Sequence, residues 1–434
     1  MPGSEDQGER SSAPLRILFA SLALPFPPNN GHRLRNWGLL RALAQEGHEV
    51  TLLSFAEANE FAQDLTPLRK ICRGVNWVPS PSAQNKGWRM YWGRLCGLLS
   101  PLPYGAIKYH SAAMESAVRE LMERERFDAV ICDDIYQFKN LPDSVHDRVL
   151  LNKDDFTFIV LRRLLAETRN PLKWAYGWIE YWKLRRWELD VCSKVGKVLV
   201  CSELDGTILR AELPSAPMEV VPNVIDIEGY QPRDNDDGRT LLFFGAMDYH
   251  ANQDAVDFFI SRILPEVRKG SPDARLVVAG RNPSASLLRR YANEPGVEFT
   301  GTVADMQAVI AQATVCVVPL RIGGGTRLKI LEAAAMERPV VSTRLGAEGL
   351  DFRDGEEIVL VDEPREFAEA VVGLMKHSER RRALGRAARN RAKKSYGFPA
   401  LRQAIHNALS DRQVEASLVG LARPAEMGNH GTVA

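Results

Sequence analysis

Val315-Cys-Val-Val-Pro-Leu-Arg-Ile-Gly-Gly-Gly-Thr-Arg-Leu-Lys-Ile-Leu-Glu332 is the stretch that decides the reading of this chain. Val315–Pro319 is a continuous apolar run, the mark of a strand buried on both faces of a parallel sheet. Gly323, Gly324 and Gly325 follow, residues that let a backbone approach a ligand closely and take unusual dihedrals. Thr326 suits an N-cap, and the spacing predicts a helix over Thr326–Met336. A strand, a glycine loop and a helix in that order are the building unit of α/β domains.

Arg327 and Lys329 then fall in the first helical turn, where the helix dipole disfavours cations unless an anion binds. Two cations, free N–H groups and bare glycines together describe a phosphate site, and a diphosphate would use all three. The plain alternative is that both cations are solvated, or that Lys329 pairs with Glu332. The stretch is not a P-loop, because Gly-Lys-Ser/Thr is missing. Glu332 lies a turn further on, followed by three alanines. It is placed to accept hydrogen bonds from a vicinal diol such as ribose, or else it is a surface acid.

Outward from this stretch the same alternation repeats. Apolar runs predict strands at Arg16–Leu22, Glu49–Ser54, Asn76–Pro79, Ala129–Cys132, Arg148–Leu151, Lys197–Cys201 and Met218–Pro222. After the polar, acidic segment Tyr230–Arg239 they resume at Leu241–Phe244, Arg275–Ala279, Val297–Phe299, Val315–Pro319, Pro339–Ser342 and Ile358–Val361. Three helical stretches close the chain at Pro364–Lys376, Ser378–Lys394 and Pro399–Leu409. The fold class is therefore α/β, with two Rossmann-like parallel-sheet domains facing a cleft. The predicted organisation is a disordered tail at 1–13, a domain at 14–228, a linker at 229–238, a second domain at 239–410 and a second disordered tail at 411–434.

With a formal net charge of +1 the chain has no field for non-specific nucleic-acid binding, so an anion site must be built locally. The six cysteines form no CxxC pair and several sit in apolar runs, which predicts reduced, buried thiols, no structural zinc and a cytoplasmic protein. The first residues lack the basic-then-apolar order of a signal peptide, and Ile17–Leu24 is too short to span a bilayer.

The stretch Val315–Leu320, with Gly-Gly-Gly-Thr-Arg-Leu-Lys-Ile-Leu-Glu-Ala-Ala-Ala-Met-Glu-Arg-Pro-Val-Val-Ser-Thr343, resembles family 4 glycosyltransferases of the GT-B fold, in the flavour of bacterial exopolysaccharide sugar transferases. Phe243-Phe-Gly-Ala-Met-Asp248, Leu276-Val-Val-Ala-Gly280, Val297-Glu-Phe-Thr-Gly301, Val221-Pro-Asn-Val-Ile-Asp226 and Val200-Cys-Ser-Glu203 add to the likeness. It extends over about residues 15–410 and is strongest from 240 to 350.

The resemblance implies sugar transfer from a nucleoside-diphosphate donor to a saccharide or lipid-linked hydroxyl acceptor, with retention at the anomeric carbon and no essential metal or cofactor. It places Glu332 on the ribose, as the second acid of a Glu-x7-Glu motif whose first acid is replaced here by Gly324. The positions that usually hold the diphosphate are Ala246 and Asn252, so Arg327 and Lys329 are expected to supply that charge. Gly245 and Gly31 mark loops whose backbone approaches the donor. Arg281 either adds to the donor site or is a solvated loop arginine, and Val303 either lines the base pocket or packs in the core.

On the other side of the cleft, His32 and Arg33 open a helix and either faces the cleft or the surface. Asp154 and Asp155 follow a strand end, where one would orient or deprotonate the acceptor hydroxyl, or both simply cap the next helix. Asp133-Asp134 poses the same choice. Asp234-Asn-Asp236 matches a metal-binding pattern but lies in the linker and is read as coincidence. The Trp-, Tyr- and Arg-rich run Lys173–Trp187 suits core packing, a carbohydrate-stacking face, or contact with the inner face of a membrane. Two other readings remain at this point: a nucleotide-sugar epimerase of the same fold, and a non-catalytic nucleotide-binding scaffold.

Overall fold

The structure, a computed structural model, describes residues 14–61, 63–81, 93–94, 97–325 and 327–421, with 411–421 as backbone only. The tail expected at 1–13 and the N-cap expected at Thr326 lie outside the described residues. The first sheet holds β1 (Arg16–Ser21), β2 (Glu49–Ala56), β3 (Gly74–Pro79), β4 (Ala129–Asp133), β5 (Val149–Lys153), β6 (Lys197–Val200) and β7 (Met218–Val220). Its order is β3-β2-β1-β4-β5-β6-β7. The second holds β8 (Thr240–Phe244), β9 (Arg275–Ala279), β10 (Val297–Gly301), β11 (Val315–Val318), β12 (Val340–Ser342) and β13 (Val359–Leu360). Its order is β10-β9-β8-β11-β12-β13.

All the strand pairs are parallel. That explains the unbroken apolar runs, since helices cover both faces of such a sheet. The order reverses beside β1 in the first sheet and beside β8 in the second. At such a reversal the loops after neighbouring strands part and leave a crevice. The loops after β1 and β4 flank one crevice, and those after β8 and β11 flank the other.

Two of the sequence expectations are corrected here. The final helix runs Phe398–Leu421, into the segment predicted as a disordered tail from 411. It also does not close the second domain. Leu401, Ala404, Ile405, Ala408 and Leu409 are buried with Leu39, Leu43 and Val221 in a core of the first sheet, and Lys197 Nζ donates to the Ala408 carbonyl. Its apolar stripe would have suited either sheet, and the helix Gly31–Gln45 takes it.

Within the linker, Asp236 pairs with Arg381 at 2.8 Å and with Arg338 at 3.4 Å. Its carboxylate is thereby committed to holding the linker on the second domain, which accounts for the Asp-x-Asp pattern without a ligand. Cys72, Cys132, Cys192, Cys201 and Cys316 are buried. Among the described residues, no helix is long and apolar enough to cross a membrane.

Candidate functional site

The second domain brings three glycine turns together. Gly245 follows β8 with φ 145°, and Gly280 follows β9 with φ 156°. A Cβ on Gly280 would overlap the Gly245 carbonyl, so the two strand ends meet backbone to backbone. Gly323 (φ 118°) and Gly325 (φ 70°) sit in the left-handed region that favours glycine. The following helix spans Leu328–Ala335, two residues later than predicted, with Arg327 rather than Thr326 at the N-cap position. The cause is local. Arg327 has non-helical dihedrals, and its guanidinium folds back onto the Gly324 carbonyl.

Arg327 is buried, yet among the described residues Nε and Nη2 have no hydrogen-bond partner. An unpaired buried cation is costly, and an anion bound beside it would offset that cost. Lys329, in the first turn, donates to Asn252 Oδ1 at 2.8 Å and lies 4.2 Å over the Phe243 ring. Asn252 in turn donates to the Ala246 carbonyl. Lys329 thus delivers its ammonium beside positions 246 and 252 and next to Gly245. Burial first, and then the neighbouring Arg327, bring its pKa down to about 7. Glu332 accepts from Tyr230 Oη at 3.0 Å. Burial pushes its carboxyl up, against the opposing pull of Tyr230 and Lys329. Tyr230 was not singled out in the sequence, because nothing local ties a linker tyrosine to an acid 102 residues away. Arg281 leans on Asp248 at 3.5 Å and is half-exposed, and Val303 is half-buried at the rim.

Facing this is the first domain. Asn30 caps the helix Gly31–Gln45 through Arg33 N. A Cβ on Gly31 would stand 3.4 Å from Leu328, so the two helix starts touch across the cleft. His32 lies between Asp133 (3.0 Å) and Asp154 (2.9 Å). Burial opposes its charge, but the two carboxylates prevail and hold its pKa well above the usual value. Asp133 also accepts from Ser21, Leu22 N and Asn36. Asp134, at φ 75°, merely caps Tyr136, so the two adjacent acids have different work. Arg35, one turn after His32, bridges Asn152, Asn223 and the Val221 carbonyl and stands 3.2 Å from Asp154 Oδ1. The spacing of His32, Arg35 and Asn36 on one helix face was the available signal for this cluster.

Lys153 and Glu188 form a fully buried pair at 2.8 Å, and Glu188 also accepts from the N–H groups of Thr157 and Phe158. Asp155 lies over the glycine loop: a Cβ on Gly324 would be 3.1 Å from its Oδ2 and would overlap Val160. The sequence-predicted acids and glycines therefore meet across the cleft. Arg163 strengthens that junction, donating to the Gly323 carbonyl at 3.0 Å and forming a two-point pair with Glu348 at 2.5 and 2.7 Å. The Trp-rich helix Pro171–Lys194 is split. Tyr181, Leu184 and Val191 are buried, whereas Leu172, Trp174, Ile179 and Trp182 are exposed.

Two expected outcomes follow from this geometry. Lys329 loses its charge as pH rises through about 7. The change opposes an anion, so diphosphate affinity measured by calorimetry should be on the order of tenfold weaker at about pH 8.5 than at about pH 6.5. Arg163→Ala should weaken diphosphate binding by about tenfold and Glu348→Ala by less, because Arg163 then keeps its bond to the Gly323 carbonyl, and the double variant should match Arg163→Ala.

A family model described as Glycosyltransferase Family 4 matches residues 30–228. A second, described as Glycosyl transferases group 1, matches residues 238–377. A Klebsiella pneumoniae protein, described as an uncharacterized 44.6 kDa protein in the cps region, is 23% identical over 375 residues, which is 83% of this chain and 91% of that protein. The GDP-mannose-dependent alpha-(1-6)-phosphatidylinositol monomannoside mannosyltransferase of Mycolicibacterium smegmatis is 29% identical over 199 residues, 41% of this chain and 52% of that one. Among solved structures, Anabaena HepE in complex with UDP and glucose aligns with TM-score 0.64 at 15% identity, covering 92% of this chain and 100% of that one.

Proposed function

We propose, from the premise that this chain belongs to the family 4 glycosyltransferases of GT-B architecture, that it moves a sugar from a nucleoside-diphosphate donor to a hydroxyl acceptor in polysaccharide or glycoconjugate synthesis. The observation that carries the donor assignment is the buried Arg327, two of whose N–H-bearing nitrogens have no partner among the described residues, at the start of the helix that bears Lys329 and Glu332. Glu332, steadied by Tyr230, takes the ribose hydroxyls. Gly245, Gly323, Gly324 and Gly325 bring backbone to the phosphates, and Arg281 and Val303 edge the base.

As the donor bond breaks, negative charge grows on the leaving diphosphate, and Arg327 and Lys329 stabilise it without a metal ion. In this reading the transfer retains the anomeric configuration. On the acceptor side, Asp154 is held by His32 and Arg35 at the cleft wall beside Gly31. It orients the attacking hydroxyl, and Asp155 lies next to it. The acceptor is a saccharide or lipid-linked saccharide, with the chain working in the cytoplasm at the inner face of the membrane. The exposed Trp174 and Trp182 favour that placing.

The test is thermal shift with UDP, GDP, ADP and TDP, followed by turnover of the matching labelled nucleotide sugar. One diphosphate should stabilise the protein. If none does, the glycine-loop site is not a donor site.

A further inference from the structure

Beside Asp134, which caps a helix, three acids stand at the strand ends of the first domain, and their commitments differ. Asp133 is surrounded by donors. Asp154 is shared by His32 and Arg35. Asp155 is half-buried, and among the described residues its carboxylate accepts no hydrogen bond. It projects instead onto a loop of the other domain from which side chains are missing. The need for glycine differs along that loop. Gly323 and Gly325 have dihedrals that favour it, whereas Gly324 has an ordinary φ. At Gly324 it is space that forbids a side chain, because Val160 and the Asp155 carboxylate occupy it.

The donor has a fixed chemical order: base, ribose, two phosphates, sugar. The helix Leu328–Ala335 has an order to match. Glu332 is one turn in, and Lys329 lies about 4.5 Å nearer the start at 1.5 Å per residue. Arg327 is at the start itself, with the glycine loop beyond it. With ribose at Glu332 and phosphates at Lys329 and Arg327, the next group along the line lies over Gly324 and Gly325.

We propose that Asp155 reaches across the cleft to hydrogen-bond a hydroxyl of the sugar being transferred, and so selects which nucleotide sugar is accepted. This rests on the donor-site reading above. Burial, with Asp154 nearby, pushes the Asp155 carboxyl up to about 7. A carboxyl that is largely protonated near neutrality does not repel the adjacent diphosphate, and it both donates to and accepts from a hydroxyl. Sites built to bond a particular hydroxyl reject analogues that lack or misplace it more strongly than apolar pockets do, because the polar group is then left unpaired.

The experiment measures displacement of a labelled nucleoside diphosphate by nucleotide sugars differing at one hydroxyl, with wild type, Asp155→Asn and Asp155→Ala. The expected result is unchanged affinity for the bare diphosphate in all three. The ratio between the preferred sugar and its epimers should fall about tenfold in Asp155→Ala and less in Asp155→Asn. A ratio kept within about twofold in Asp155→Ala overturns the proposal while leaving the donor site standing. Loss of bare diphosphate binding in both variants also overturns it, because Asp155 then serves the loop and not the sugar. If wild type binds no diphosphate, the donor reading itself fails and takes this assignment with it.

Discussion

Arg327→Ala combined with Lys329→Ala should lower kcat/KM for the nucleotide sugar by about 10²–10³ or more, since each charge-assisted donor aimed at developing charge is worth a few kcal/mol. The same substitution should leave the melting temperature of the ligand-free protein unchanged or raise it. Arg327 is buried with two nitrogens unpaired among the described residues, and Lys329 has its pKa drawn down to about 7 by burial and by Arg327. Both are therefore costs to the folded state in the absence of ligand, and removing them relieves that cost. Lost turnover with retained or improved stability separates a ligand site from a structural pair. If stability falls as steeply as activity, the two cations are holding the fold and not the diphosphate.

Glu188→Ala should show the opposite pattern. Lys153 and Glu188 are both inaccessible to solvent and lie 2.8 Å apart. Burial works against the ammonium of Lys153, but Glu188 overrides it and keeps its pKa well above the usual value. Removing Glu188 strands a buried charge, at a cost of about 3–5 kcal/mol. For a domain of this size that corresponds to roughly 10 °C in melting temperature, read by differential scanning calorimetry. The substitution also strips the acceptor from the N–H groups of Thr157 and Phe158, next to Asp155. Activity should therefore fall along with stability. Replacing both partners by apolar residues of similar size should recover most of the stability, because no charge is then left alone. A Glu188→Ala protein that melts with wild type would mean that Lys153 finds water or another acid.

The strands were legible because a parallel sheet covered on both faces leaves continuous apolar runs, and β9 was read to the residue. That the glycine loop, Lys329 and Glu332 lie close together was legible for a related reason. Their chemistry is local, packed into one strand, loop and helix. The start of that helix was misplaced because Arg327 folds back on Gly324, a choice that capping preferences do not contain. Contacts between loops of different strands were not legible at all. Arg163 and Glu348 are separated by 185 residues, and neither has a neighbour in sequence that points to the other. The final helix was assigned to the wrong domain for a similar reason, since an apolar stripe states that it must be covered but not by what.

Because that helix returns to the first sheet, the chain passes between the two domains twice. The first passage leads into the linker, and the second follows Tyr396. The passages run side by side, with Ile225 N donating to the Tyr396 carbonyl at 3.2 Å. Two adjacent attachments restrict twisting and sliding of one domain on the other more than a single one would. Gly31 against Leu328, and Arg163 against Glu348 and the Gly323 carbonyl, add contacts between the same two domains. The facing loops are thus held in register by two covalent ties and by side chains at once.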